Sequence, residues 1–274
     1  MKSKERVTYP TGADQGLLKR FSKKALIERE RCFNQEYETL RRQAKTFPKM
    51  GPNADAERAF ADQRRLVQSL RREKPPRFAP LKGSNPARYA PFDWSSGFLD
   101  CGGQGAYDTC VLRGPNSATG QIGARLSNFA SFADRSDALS AVSSVGFWYY
   151  ALVTGTLYVT AQAYISGLAA STSGETYAGL QVSVEPFLSV GCAPHTTIDI
   201  FRSRVTGFSL NPLAQIVVNS LALFPSWEGR TVSILAPVRR LNWYLITVSA
   251  VQHVISGGTS DFDMHVGPVS AFLV

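Results

Sequence analysis

Five prolines fall between Pro75 and Pro91, with Gly83, Ser84 and Asn85 among them, and they separate two stretches whose apolar residues recur with different periods. Proline has no amide N–H to give and holds its own φ fixed, so a cluster of this kind favours a stiff, extended connection over a helix or a central strand. The chain is therefore read as a helical arm over residues 1–74, a linker over 75–91 and an all-β domain over 92–274.

Before the prolines the period is helical. From Gln15 to Phe47 the apolar positions Phe33, Tyr37, Leu40, Ala44 and Phe47 advance by steps of four and three, with Leu26 upstream, which lays a stripe along one side of a helix. Pro48, Gly51 and Pro52 interrupt it. Asn53 can then cap a second helix running to about Glu73, with Ala56, Ala59, Phe60, Leu66, Val67 and Leu70 at helical spacing. A short break between two such helices predicts an antiparallel hairpin. Neither stripe alone buries enough area to stand by itself. Leu26, Phe33, Tyr37, Leu40, Phe60, Val67 and Leu70 are accordingly expected to dock, in the manner of a coiled coil, on a protein partner or a neighbouring copy of the chain.

After Phe92 the period falls to two. Thr156 to Ile165 alternates Leu157, Val159, Ala161 and Ala163 with the mixed set Tyr158, Thr160, Gln162 and Tyr164, and Leu180, Val182 and Val184 alternate with polar neighbours. These two runs, joined by the small-residue stretch Gly167 to Thr176, read as a hairpin. Further strands are expected at Gly97–Asp100, Tyr107–Leu112, Gln121–Leu126, Thr197–Thr206, Ala214–Leu223, Thr231–Pro237, Trp243–Val251, Phe262–Val266 and Val269–Val274, with one short helix near Asp134–Val142. The fold class this predicts is mainly β: a β-sandwich or jelly-roll-like domain of about eight to ten strands.

Charge follows the same division. Residues 1–90 carry 22 Lys and Arg against 10 Asp and Glu, whereas residues 91–274 carry 8 against 11. The basic third suits an anionic partner, an enclosed nucleic acid included, met by Lys19, Arg20, Lys23, Lys24, Arg41, Arg42, Arg64, Arg65, Arg71 and Arg72. Acidic residues are interspersed among them, as on a solvated helix face. Two stretches without charge, Ala138–Gly174 and Val205–Trp227, are long enough to span a bilayer but too rich in Ser, Thr, Gln and Asn, so no membrane span is expected. The charged amino terminus leads into no apolar segment, which makes cytosolic synthesis the expectation, with location in the cytoplasm or within an assembled particle. The four cysteines, Cys32, Cys101, Cys110 and Cys192, are expected as buried or free thiols.

Few side chains offer chemistry. A metal set drawn from Cys192, His195, Cys101 and Cys110 lacks the closely spaced pairs of a structural zinc site. Asp261, Asp263 and His265 project from one face of a strand and are the remaining metal candidates, although polar positions of a half-buried strand ordinarily face water. The run Asp100–Gly105 lacks the Lys-Ser/Thr ending of a phosphate loop. Catalysis would require some of His195, Asp199, His253, Asp261, Asp263 and His265 to converge. No catalytic constellation and no cofactor site is expected. The reading that remains is a non-enzymatic structural or protein-interaction module. Its alternatives are a coat-type protein with a basic arm, or a carbohydrate-binding sandwich that stacks Trp227 on sugar rings.

Overall fold

The computed structural model describes residues 4–46, 65, 76, 87–102, 109–128, 138–171, 174–187, 192–205, 220–255 and 257–274. Strand β1 (Lys4–Val7) leads into helix α1 (Gln15–Ala44). Asp14 caps the helix by accepting a hydrogen bond from the Leu17 amide at 2.9 Å, and Arg41 and Arg42 lie in its last turn, where cations offset the exposed carbonyls. The second helix expected over 53–73 lies outside the described residues except for Arg65, which is exposed.

The strands that follow are β2 (Ala87–Arg88), β3 (Trp94–Asp100), β4 (Thr109–Leu112), β5 (Gln121–Asn128), β6 (Ala138–Ala151), β7 (Gly155–Ser171), β8 (Gly174–Pro186), β9 (His195–Val205), β10 (Ser220–Val238), β11 (Asn242–Ile255) and β12 (Gly258–Leu273). They form two sheets. The first has the order β1-β3-β6-β11-β8-β9, and the second the order β10-β7-β12-β5-β4 with β2 paired to β12. Every pairing between the named strands is antiparallel. The main core lies between the sheets: Val145, Phe147, Leu180, Val182, Ile246 and Val248 from the first meet Leu157, Val159, Ile165, Val232, Phe262 and Met264 from the second. The protein is thus a mainly-β sandwich preceded by a helix.

Helix α1 lies on the outer face of the first sheet. Its buried apolar positions are Leu18, Phe21, Ala25, Phe33, Tyr37, Leu40 and Ala44. Leu18, Phe21 and Ala25 pack on Trp94, Trp148 and Leu245, while Tyr37, Leu40 and Ala44 pack on Ala138 and Ile255. Phe33 stacks on Phe98 with ring centres 5.7 Å apart, and the Tyr37 hydroxyl donates to the Ala138 carbonyl at 3.0 Å. Leu26, one place past the stripe, is half-buried. The surface that the stripe expected of a partner or second copy is therefore supplied, over its described part, by the chain's own sheet. Area removed from water drives this docking, at roughly 1.5–3 kcal/mol for each large apolar side chain fully buried.

Local patterning misled in several places. The expected hairpin of Thr156–Ile165 with Leu180–Val184 does not form: β7 pairs with β10 and β12 in the second sheet, and β8 pairs with β9 and β11 in the first. Their apolar faces meet across the sandwich, and alternation gives a strand's inward face but not its edge partner. The short helix expected near Asp134–Val142 is replaced, from Ala138 on, by β6. That strand is covered by α1 on one side and the core on the other, so its apolar residues do not alternate. Thr231–Pro237 joins the end of Ala214–Leu223 in the single strand β10, and Phe262–Val266 joins Val269–Val274 in β12, each with a register shift at the join.

A further correction concerns the cysteines, expected as buried or free thiols. Cys32 of α1 is bonded to Cys192, between β8 and β9, at 2.06 Å, and Cys101 to Cys110 at 2.13 Å. The first pair is separated by 160 positions, and only the seating of α1 on the sheet brings it together. No helix among the described residues is long and apolar enough to cross a membrane.

Candidate functional site

The two sheets treat their outer faces differently. Under α1 the first sheet presents Trp94, Phe98 and Trp148, all buried. The outer face of the second sheet carries Tyr158, Thr160, Gln162 and Tyr164 along β7, each half-exposed, and among the described residues no helix lies over them. Side chains on one face of a strand repeat about every 6.6 Å, so Tyr158 and Tyr164 stand roughly 20 Å apart at the ends of one row.

Register places the flanking residues. Leu235 and Phe272 sit opposite Tyr158, Ser233 and Ser270 opposite Thr160, Thr231 opposite Gln162, and Gly229 and His265 opposite Tyr164. The Phe272 ring meets the Tyr158 ring edge-on at 5.2 Å. The Tyr158 hydroxyl donates to Ser233 at 3.2 Å and accepts from Thr160 at 3.2 Å, and these bonds hold its phenol below the usual range. Leu235 is 60% exposed on this face. The result is a shallow strip with aromatic rings at its two ends and hydroxyls and an amide between them.

Trp227, expected in a loop, belongs to β10, where the register shifts between Phe224 and Glu228. It is half-buried and meets the His265 ring edge-on at 5.1 Å, which puts it at the Tyr164 end of the row. His265 lies 3.7 Å from Asp263, whose Oδ1 accepts from the Gln121 side chain at 2.9 Å. Burial lowers the imidazole pKa below 6.5, outweighing the pull of Asp263 towards the charged form.

Asp261 departs from the expectation that the polar positions of β12 face water. It is 1% exposed and bonded to Arg113 at 2.6 Å, with Arg125 at 3.9 Å. A buried carboxylate requires such a counter-charge. Among the described residues no three His, Cys, Asp or Glu side chains gather as metal ligands. Cys101, Cys110 and Cys192 are committed to disulfides, and His195 is exposed with Nδ1 3.0 Å from the Ala193 carbonyl.

The six titratable residues of which some would have to converge for catalysis are divided between the sheets. Asp261, Asp263 and His265 are on β12 of the second sheet; His195 and Asp199 are on β9 and His253 on β11 of the first. There, Tyr177 donates to Asp199 at 3.0 Å and stacks on His253 at 5.0 Å, and burial raises its phenol pKa. Of the anion-contacting candidates on α1, Lys19, Arg20, Lys23, Arg41 and Arg42 are exposed and Lys24 is half-buried; Arg64, Arg71 and Arg72 lie outside the described residues, as do Phe60, Val67 and Leu70. Sequence reasoning singled out Trp227 and passed over Tyr158, Tyr164 and Phe272. The signal for the first two was present in the mixed outward set of Thr156–Ile165, but nothing local showed that α1 covers the other sheet and leaves this face without a helix among the described residues.

No protein-family model matches the chain, and no curated protein matches it. Solved structures similar to it include a family 35 carbohydrate-binding module from Clostridium thermocellum, 10% identical over 70% of this chain and 100% of that one, with a TM-score of 0.26. TmCBM61 in complex with beta-1,4-galactotriose is 10% identical over 66% and 72%, with a TM-score of 0.21. The 4-O-methyl-alpha-glucuronidase BtGH115A is 11% identical over 74% of this chain and 20% of that one, with a TM-score of 0.24. Identities and TM-scores this low carry no argument about what the chain binds.

Proposed function

We propose that this protein is a non-enzymatic carbohydrate-binding module that takes a glycan across the outer face of the second sheet. The observation that supports the reading is the row from Tyr158 to Tyr164, flanked by Phe272 and Trp227. Aromatic rings give flat apolar area to the C–H faces of sugar rings, and Thr160, Gln162, Ser233 and Gln121 offer hydrogen bonds to hydroxyls. A shallow strip suits an extended chain better than a single small ring. The test is a glycan array followed by calorimetric titration of any ligand found. Replacing Tyr164 or Trp227 by Ala should lower affinity by about 5- to 100-fold, the range of one lost stacking contact. An array without a hit, or a ligand indifferent to both replacements, would count against it.

A second reading, contact with a polyanion, is favoured by the placement of Lys19, Arg20 and Lys23 on the solvent side of α1. Because α1 covers the first sheet, charge replacement is a cleaner test than deletion of the arm. Changing all three to Gln should flatten the salt dependence of heparin or RNA binding by a slope of roughly 3 if each meets a phosphate or sulfate, and leave it unchanged if none does.

A further inference from the structure

Two turns cross between the sheets side by side at one end of the sandwich: residues 152–154, from β6 to β7, and residues 239–241, from β10 to β11. They are fastened together. The Leu241 amide donates to the Ala151 carbonyl at 2.7 Å, and the Arg240 amide to the Thr154 hydroxyl at 2.9 Å. Their tips hold Leu152, Val153 and Leu241, which are 67%, 51% and 59% exposed. We infer that this end of the protein docks on the surface of an anionic lipid bilayer, with the three apolar side chains entering the boundary between headgroups and acyl chains.

Leu241 carries the argument furthest. Alone among the described non-glycine residues it has a positive φ, 62°, at the third place of a turn that the Asn242 amide closes on the Arg239 carbonyl at 3.3 Å. Glycine or asparagine ordinarily fills such a place, because a larger side chain crowds its own backbone there. Neither the turn nor the core gains from a leucine, so the residue serves a contact outside the chain. Arg239 and Arg240 are exposed beside it and have no ion-pair partner among the described residues, whereas Arg113, Arg125, Arg202 and Arg230 each pair with a carboxylate. Neither turn contains an acidic residue. Behind the tips Tyr150, exposed, and Trp243, half-buried, pack ring against ring at 5.0 Å. A bilayer surface takes up each part: acyl chains the apolar tips, anionic headgroups the arginines, and the boundary between them the amphipathic rings. A protein partner fits less well, since a specific interface buries about 800 Å² on each side and three side chains at the tips of two turns do not offer it.

The test uses the full chain and vesicles of phosphatidylcholine, alone or in equal parts with phosphatidylserine, read by cosedimentation. Binding to the anionic vesicles should be at least about tenfold tighter, and Arg239→Gln with Arg240→Gln should remove that preference. Leu152→Ser with Leu241→Asn should lower the affinity at least about tenfold without lowering the thermal midpoint, because asparagine accepts the positive φ and neither leucine is in the core. Brominated acyl chains should quench the fluorescence of Trp243, read as the difference between the parent and Trp243→Phe. Trp227→Ala should bind vesicles like the parent, which separates this surface from the glycan face. No binding to either vesicle, a folded Leu152→Ser/Leu241→Asn variant that binds like the parent, or binding that is lost only when Lys19, Arg20 and Lys23 of α1 are changed to Gln would overturn the assignment.

Discussion

Arg29 of α1 donates to Glu185 of β8, 156 residues further along the chain, in a buried ion pair that ties the helix to the first sheet. Arg29 occupies a place in the apolar stripe, four positions after Ala25 and four before Phe33. The sheet answers it there with Ser144 at 3.2 Å, Ser183 at 3.0 Å and Thr247, and its guanidinium lies 4.8 Å from the centre of the Trp94 ring. Removing one partner leaves the other charge buried without compensation. Arg29→Met should therefore cost about 3–5 kcal/mol in urea unfolding, and combining it with Glu185→Leu should restore more than half of the loss. Strictly additive losses would show that the two residues do not act as a pair.

The helix stripe is predicted to contribute to folding and not to self-association. Tyr37→Ala and Leu40→Ala should each lower stability by about 2–4 kcal/mol through lost burial and cavity formation. Sedimentation velocity of the two variants should match that of the parent over the same concentration range. A change of oligomeric state without a change of stability would point instead to a contact between copies.

The two disulfides should differ in value. Closing a loop of 160 positions removes more unfolded-state freedom than closing one of nine, so loop-closure entropy sets ceilings of about 5 kcal/mol for Cys32–Cys192 and about 2.5 kcal/mol for Cys101–Cys110. Peptide mapping without reduction checks the pairing, and the paired Cys→Ser variants check the order of the losses.

Acid should weaken the first sheet through Glu175. His253 lies 3.4 Å from its Oε1, and this hydrogen bond, ahead of the attraction of His253, Arg202 and Arg204, holds its carboxyl below 4.5 despite burial. A depressed carboxyl pKa means that the unfolded chain binds the proton more readily. The contribution is therefore complete above about pH 4.5 and is lost as pH falls through the lower folded value. Glu175→Gln should cost about 1 kcal/mol near neutral pH, and the difference from the parent should shrink as pH falls below about 4.5. A gap that persists in acid would exclude the linkage.

Which segments are helix or strand was largely legible in the sequence, because the two periods report directly which side chains face inward. The steps of α1 from Phe33 to Ala44 and the alternation of β7 are in the structure as their patterns implied. Period alone failed where an element is covered on both faces, as in β6, and where a bulge joins two runs, as in β12. Pairing was not legible at all: Leu157 and Val182 carry the same alternating signal whether their strands share an edge or face each other across a core.

Short-range periodicity and composition determined by themselves that this chain makes a basic amphipathic helix and a body of many strands. Only the tertiary structure decided that the helix covers its own first sheet, that Arg29 meets Glu185, that Cys32 meets Cys192, and that among the described residues no helix covers the row from Tyr158 to Tyr164. The reason is physical: inward-facing patterns follow from steric repeats of one to four residues, whereas those contacts depend on which apolar face reaches which other first, over separations of more than a hundred residues.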